Sequence, residues 1–161
     1  VKSLSPLSAP QEVVSALFTT KVPADLRETD WESVAAGSSI LQARVEKSAD
    51  VRVAVIGDRL LACRIESQTL PETLTDWRAN GDALEHHEVA VPSVIRECLR
   101  RLRGLLGLRM MHVDFCIDNQ DRWWFLEANP NGQWLWLELN AGLQVSGAIA
   151  EQLAEPLRTL S

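Results

Sequence analysis

Asp114 and Glu127 are the residues from which chemistry is most directly read. They stand in two runs expected as strands, 109–117 and 122–128, the second followed by Asn129. Between the runs lies Asp118-Asn119-Gln120-Asp121, a strong turn sequence. With a loop over 119–122, Asp118 pairs with Trp123 and Asp114 falls opposite Glu127. Two carboxylates directly opposite one another, Cβ atoms about 5 Å apart, repel. A cation between them removes that penalty. Carboxylates and the Asn129 carbonyl are hard oxygen donors of the kind Mg²⁺ takes, and Mg²⁺ commonly fills its remaining positions with phosphate oxygens. The alternative is the solvent-facing polar side of an edge hairpin, and a slip of one residue would part the two acids. His112 and Asp114 also form an H-x-D on one strand face, which could be half of a zinc site. No second histidine cluster supports that, and His86-His87 reads as surface or strand-end residues.

Alternation along the two strands sorts their side chains. One face is Val113, Phe115, Ile117, Trp124, Leu126 and Ala128, wholly apolar and expected to be core. The other is His112, Asp114, Cys116, Trp123, Phe125, Glu127 and Asn129. Further elements must support this hairpin. Strands are expected over 39–46, 51–56 and 60–67, the last two joined by a turn at Gly57-Asp58-Arg59. A strand could also cover 16–22, a loop or short helix 5–15, and a weak helix 25–36 ending at Gly37. The segment 71–82 is polar and turn-rich. The clearest helix covers 92–107: Pro92 suits a first helical position, Val94, Ile95, Cys98, Leu99, Leu102, Leu105 and Leu106 recur at helical spacing, and Gly107 supplies a stop. A last helix is expected over 144–157. Strand clusters with separate helices read as an α+β fold with a largely antiparallel sheet and flanking helices.

Composition bounds the function. At 161 residues with 46% apolar and 24% charged side chains, the chain is too apolar to be disordered, and its apolar runs are far short of a membrane span. A net charge of -6 disfavours nucleic acid as a partner. The one basic cluster, Arg96, Arg100, Arg101, Arg103 and Arg109, falls mostly in the helical pattern and reads as a solvated face. Cys63, Cys98 and Cys116 are odd in number, lack a CxxC spacing and sit in apolar runs, so they read as small hydrophobes in a reducing, cytoplasmic setting. Residue 1 is Val, and Val1-Lys2-Ser3-Leu4 reads like the middle of a structured segment, so the chain is expected to be part of a longer protein.

The string Glu127-Ala128-Asn129-Pro130-Asn131-Gly132, behind a strand bearing Asp114, resembles the metal signature of ATP-grasp ligases. The longer Phe125-Leu126-Glu127-Ala128-Asn129-Pro130-Asn131-Gly132-Gln133-Trp134-Leu135-Trp136 is similar to that of the ATP-grasp ribosomal peptide maturases, the microviridin-type or graspetide ligases. Gln42-Ala43-Arg44-Val45-Glu46-Lys47 looks like the hinge after their lid, and the run from Asp50 through Arg52 to Gly57-Asp58 like their "DLRV…VGD" strand. Arg64-Ile65-Glu66-Ser67 and Asp76-Trp77-Arg78 continue the match.

The resemblance implies the C-terminal portion of an ATP-grasp fold: a remnant of the nucleotide lid over 1–42 and the core subdomain over 43–161, with an N-terminal domain and the first part of the lid lying outside the chain. It implies ATP and Mg²⁺ as cofactors. Lys2 matches the second ATP-contacting lysine. Ala43, Arg44 and Val45 match the adenine-reading hinge, Asp50 a position near the ribose, and Arg78 and Asn80 a phosphate-side Arg and Asn. Asp114, Glu127 and Asn129 match the Mg²⁺ ligands. Arg52 and Arg64 are placed with Arg78 as catalytic arginines, with a structural ion pair as the alternative for the first two. Residues 132–136 are expected to form a loop beside the site, where Trp134 and Trp136 pack either peptide or core. The implied activity is an acyl phosphate formed from a carboxylate, then an ester or amide crosslink in a ribosomal precursor peptide. No nucleic acid or membrane is expected as a partner, and an oligomer is compatible. The alternatives are a glutamate-adding ligase of proteins and a non-catalytic scaffold. The chain alone is expected to be inert.

Overall fold

The computed structural model describes residues 2–3, 18–22 and 39–154. A five-stranded sheet carries the molecule: β3 (Lys47–Ile56), β4 (Arg59–Ile65), β5 (His86–Glu88), β6 (Met110–Asp118) and β7 (Trp123–Asn129), in the order β5-β4-β3-β6-β7. Every neighbouring pair is antiparallel. A separate two-stranded ladder joins β1 (Lys2–Ser3) to β2 (Ser39–Ile40). Among the described residues three α-helices pack on the sheet, α1 (Ser93–Leu105), α2 (Leu135–Ala141) and α3 (Val145–Ala154), with 3-10 turns at Pro71–Thr73 and Trp77–Ala83. The α+β class with its antiparallel sheet is as the sequence predicts. Among the described residues, no helix is long and apolar enough to cross a membrane.

Alternation along the central strands builds two cores. Val51, Val53 and Val55 of β3 meet Met111, Val113, Phe115 and Ile117 of β6 beneath Leu99 of α1. On the opposite face, Ala54, Ile56, Cys63 and Ile65 pack with Leu84, Leu137 of α2, and Val145 and Ala148 of α3. The β3–β4 turn is the tight one expected: Ile56 pairs with Arg59, and Gly57 takes φ +53°, where a side chain would be strained.

Two bulges break the alternation, and both border the site described below. In β3 the ladder to β6 steps from Lys47↔Asp118 to Ala49↔Ile117, leaving Ser48 as the extra residue. Its hydroxyl donates to the Ile117 and Asp118 carbonyls, 3.2 Å each. Lys47 therefore turns to the same face as Asp50. In β7 the ladder steps from Asp114↔Glu127 to Phe115↔Phe125, leaving Leu126 extra. That corrects the expected faces. Ile117, not Asp118, pairs with Trp123. Trp123 and Phe125 join Phe115 at 5.4 and 6.0 Å between ring centroids, while Trp124 turns to the other face and donates its indole N–H to Asp118 at 2.8 Å.

Other boundaries differ from expectation. The strand expected over 39–46 shrinks to Ser39–Ile40, and 18–22 holds no strand, because neither 18–22 nor 41–46 has a ladder partner among the described residues. The segments 5–15 and 25–36, and the end of the helix expected to reach 157, lie outside the described residues. The apolar stripe of α1 is narrower than its spacing suggests: Leu99 is buried and Ile95 and Leu102 half-buried, but Cys98 and Leu105 are exposed. Two short elements were not expected. His86–Glu88 forms β5, and the chain expected to loop through 136 is already helical from Leu135.

Candidate nucleotide and metal site

A cleft of about 400 Å³ opens beside the β6–β7 hairpin. Its walls come from six parts of the chain: residues 19–22, residues 40–45, the start of β3, the 74–78 segment, and stretches of β6 and β7. Seven of the predicted site residues line it together, Ala43, Arg44, Val45, Asp50, Arg78, Asp114 and Glu127.

The register places Asp114 opposite Glu127, and Asn129 opposite His112 two residues on. The two acids share the cleft with Arg78. Burial disfavours the charge on Arg78, but Asp76, then Asp114 and Glu127, outweigh it and hold the guanidinium pKa above its ordinary value. Arg78 is aimed by Asp76. Its Nε and Nη2 donate to the two Asp76 oxygens at 2.8 and 3.2 Å, and Asp76 also accepts from the backbone N–H of Arg78 and of Thr19. Burial raises the Asp76 carboxyl pKa, but the bonds from Arg78 and Thr19 prevail and the net value is lowered. Asp76 is therefore an ionised anchor tying residue 19 to the arginine.

At the start of β3, Lys47 Nζ lies 2.6 Å from Asp50 Oδ2 and donates to the Thr75 carbonyl at 3.3 Å. Burial pushes the Asp50 carboxyl above the usual carboxylate range, and Lys47 pulls it back in part. Lys47, Lys21 and Thr75 are cleft residues that the sequence reading missed. The signal for Lys47 was its place in the hinge match; the bulge at Ser48, which aims it, leaves no trace in composition.

The other predicted residues stand elsewhere. Arg52 is not on the cleft wall: it is buried behind Asp114, donating through Nε and Nη2 to both carboxylate oxygens at 2.7 Å each. Arg64 pairs with Val51 in the ladder and so stands on the α1 face, opposite to Arg52, with Nε 2.7 Å from Glu66. The expectation that Arg52 and Arg64 share one cleft gives way to two separate ion pairs on two faces. Asn80 sits at a kink in its 3-10 segment and donates to Glu72 on the exposed side. Lys2 lies in β1, its Cα partnered with Ile40. Trp134 and Trp136 are half-buried against the second core.

The donor set suits Mg²⁺ bound together with phosphates. Among the described residues no group of three or more His, Cys, Asp or Glu side chains could hold a metal unaided. Mg²⁺ needs no such cage, since one or two carboxylates plus phosphate oxygens suffice. A carboxylate oxygen that accepts one N–H keeps a second lone pair, so the grip of Arg52 leaves Asp114 able to ligate. The zinc alternative has no support. Among the described residues no cluster joins His112 to the further ligands zinc needs; its ring nitrogens are buried without a partner, and burial, then the nearby Arg52 charge, depresses its pKa to about 4.

No protein-family model matches the chain, and no curated protein sequence matches it. Solved structures do. A RiPP-associated ATP-grasp ligase of Chryseobacterium gregarium, in complex with ADP and a leader and core peptide, superposes with a TM-score of 0.77 at 24% identity, over 92% of this chain and 46% of that one. The macrocyclase MdnC of Microcystis aeruginosa, bound with precursor peptide MdnA, matches at 30% identity and TM-score 0.56, over 66% of this chain and 33% of its own. The macrocyclase MdnB of the same organism matches at 24% identity and TM-score 0.59, over 84% and 48%. The fold is that of the ATP-grasp ligases, and the chain spans less than half the length of these neighbours.

Proposed function

We propose that this chain is the nucleotide- and metal-binding part of an ATP-dependent ligase that crosslinks side chains of a ribosomal precursor peptide. The observation that carries the reading is the meeting of Asp114, Glu127 and Arg78 in a cleft that residues 43–45 also line. In this reading residues 1–42 are lid and 43–161 core. The backbone of Ala43, Arg44 and Val45 reads adenine, and Asp50, held by Lys47, faces the ribose. Arg78 offers a fixed fork to the phosphates. Asp114, Glu127 and the Asn129 carbonyl would hold Mg²⁺, which supplies neutralisation of the β- and γ-phosphate charge. Asn80 and Arg64 drop out of the site, and Arg52 acts behind Asp114.

The chemistry asks for positioning rather than a protein nucleophile. A peptide carboxylate oxygen attacks the γ-phosphorus and ADP leaves. A hydroxyl or amine of the same peptide then attacks the acyl carbon, loses its proton, and phosphate leaves with the old C–O bond. Arg78 serves the first step by holding the phosphates in line, and the two carboxylates serve it by holding the ion that would neutralise them. The free cysteines accord with a cytoplasmic setting. Turnover is expected of a longer protein carrying this chain; ligation by the 161 residues alone would overturn that part.

The test is phosphate release with a precursor peptide, measured on a longer protein that carries this chain. Glu127→Ala should lower it beyond the roughly 10–100-fold typical of residues that only support a metal ligand. Unchanged turnover in that variant would sink the reading.

A further inference from the structure

We infer that Trp136, together with the 130–133 loop, positions the Asp114 carboxylate by clamping Arg52. The inference rests on the metal role proposed for Asp114, and it gives a physical task to the Gly132-to-Trp136 string.

Arg52 is 7% exposed, and three of its nitrogens are engaged. Nε and Nη2 bind both oxygens of Asp114, and Nη1 donates to the Gln133 carbonyl at 3.2 Å. The guanidinium lies against the Trp136 ring, Cζ 5.7 Å from its centroid, within the range of a cation–π contact. Trp136 is held in turn by Trp77 at 5.0 Å and His86 at 5.5 Å. The loop reaches Gln133 by lying on the buried His112 ring. A Cβ on Gly132 would come within 2.9 Å of His112 Cβ and Cγ, so only a residue without a side chain fits. The Asn129 side chain starts the same loop by accepting the Asn131 N–H at 2.8 Å.

The stack also reaches the other side of the cleft. Trp77 stands between Asp76, the anchor, and Arg78, the residue it aims. One aromatic pair thus sits against both the arginine behind the metal carboxylate and the segment bearing the phosphate-side arginine. Trp136 does not line the cleft and acts through Arg52 and Trp77, so it is a positioning residue.

Trp136→Leu and Trp136→Phe, made in the full chain, test this with two readouts. The first is exchange of the Arg52 Nε–H with water by NMR, assigned from its through-space contacts to the Asp114 side chain. Trp136→Leu should speed it about tenfold, the factor expected for loss of a desolvated cation–π contact, and Trp136→Phe about two- to threefold. The second is the Mg²⁺ concentration for half-maximal nucleotide binding by calorimetry. It should rise about 10–100-fold in Trp136→Leu, while affinity without divalent metal stays unchanged. If Trp136→Leu fails to fold, Trp136→Phe decides on the same two readouts. Unchanged exchange overturns the clamp, and so does faster exchange with an unmoved Mg²⁺ requirement. If the wild type shows no Mg²⁺-dependent nucleotide binding, the proposed function falls, and the exchange rate still judges the clamp.

Discussion

The two faces of the sheet are made from alternate residues of the same strands, yet they are held by different physics. On the α1 face, β3 and β6 bury aliphatic and aromatic groups, without a buried charge. On the other face the same strands bury Asp50, Arg52, His112 and Asp118, with Asp114 nearly so. The first face is stabilised by non-directional burial and tolerates adjustment. The second depends on specific partners for its charges: Asp50 with Lys47, Arg52 with Asp114, and Asp118 with Arg122 and Trp124. The contrast separates what makes the sheet stable from what makes it a site.

Removing one partner from the second face is the strongest way to break the comparison. Asp114→Ala leaves the Arg52 charge buried without its partner and should cost about 3–5 kcal/mol by urea unfolding. The double variant Arg52→Met with Asp114→Leu should return to within about 1 kcal/mol of wild type or exceed it, because it removes both charges. Additive losses in the double variant would mean that the pair is not coupled. On the α1 face, Leu99→Ala should cost about 2–5 kcal/mol, with no change in nucleotide affinity of the folded protein. A change in affinity would erase the distinction between the faces.

A pH measurement sharpens it. The His112 pKa is about 4 in the folded protein against an ordinary 6.5, so between these values the unfolded chain binds the proton more readily. The stability that the neutral ring contributes is present above pH 6.5 and is lost as the pH falls towards 4. The loss amounts to about 3 kcal/mol at roughly 1.4 kcal/mol per pH unit. In metal-free buffer His112→Leu should flatten that part of the stability curve. An unchanged slope would assign it to other groups.

The α1 face was largely legible in the sequence, because Val and Ile alternation in β3 and helical spacing in α1 encode it directly. The Asp114–Glu127 opposition was reached from a register that is off by one at the turn, where Ile117 rather than Asp118 pairs with Trp123; the extra residue at Leu126 restores it. The rest had physical reasons to stay hidden. Trp123, Trp124, Phe125 and Leu126 are apolar on both parities, so nothing in their pattern penalises the bulge that swaps their faces. The helix at Leu135–Ala141 is short and follows Pro130 and Gly132; its one clear mark was Gly142, which ends it at φ +66°. The fate of Arg52 and Arg64 turned on strand parity rather than residue type. Both were read as members of one constellation, and neighbouring β3 and β4 carry them on opposite sides.

The bulge at Leu126 bears on tolerance to deletion. Every cross-strand pair of the hairpin, from His112↔Asn129 to Ile117↔Trp123, is made without Leu126, and excising it would leave those pairs in one regular ladder. What the excision would take away is a side chain on the cleft wall next to Glu127. Length at this position thus shapes the cleft rather than the ladder: the hairpin's pairing would be complete with one residue fewer.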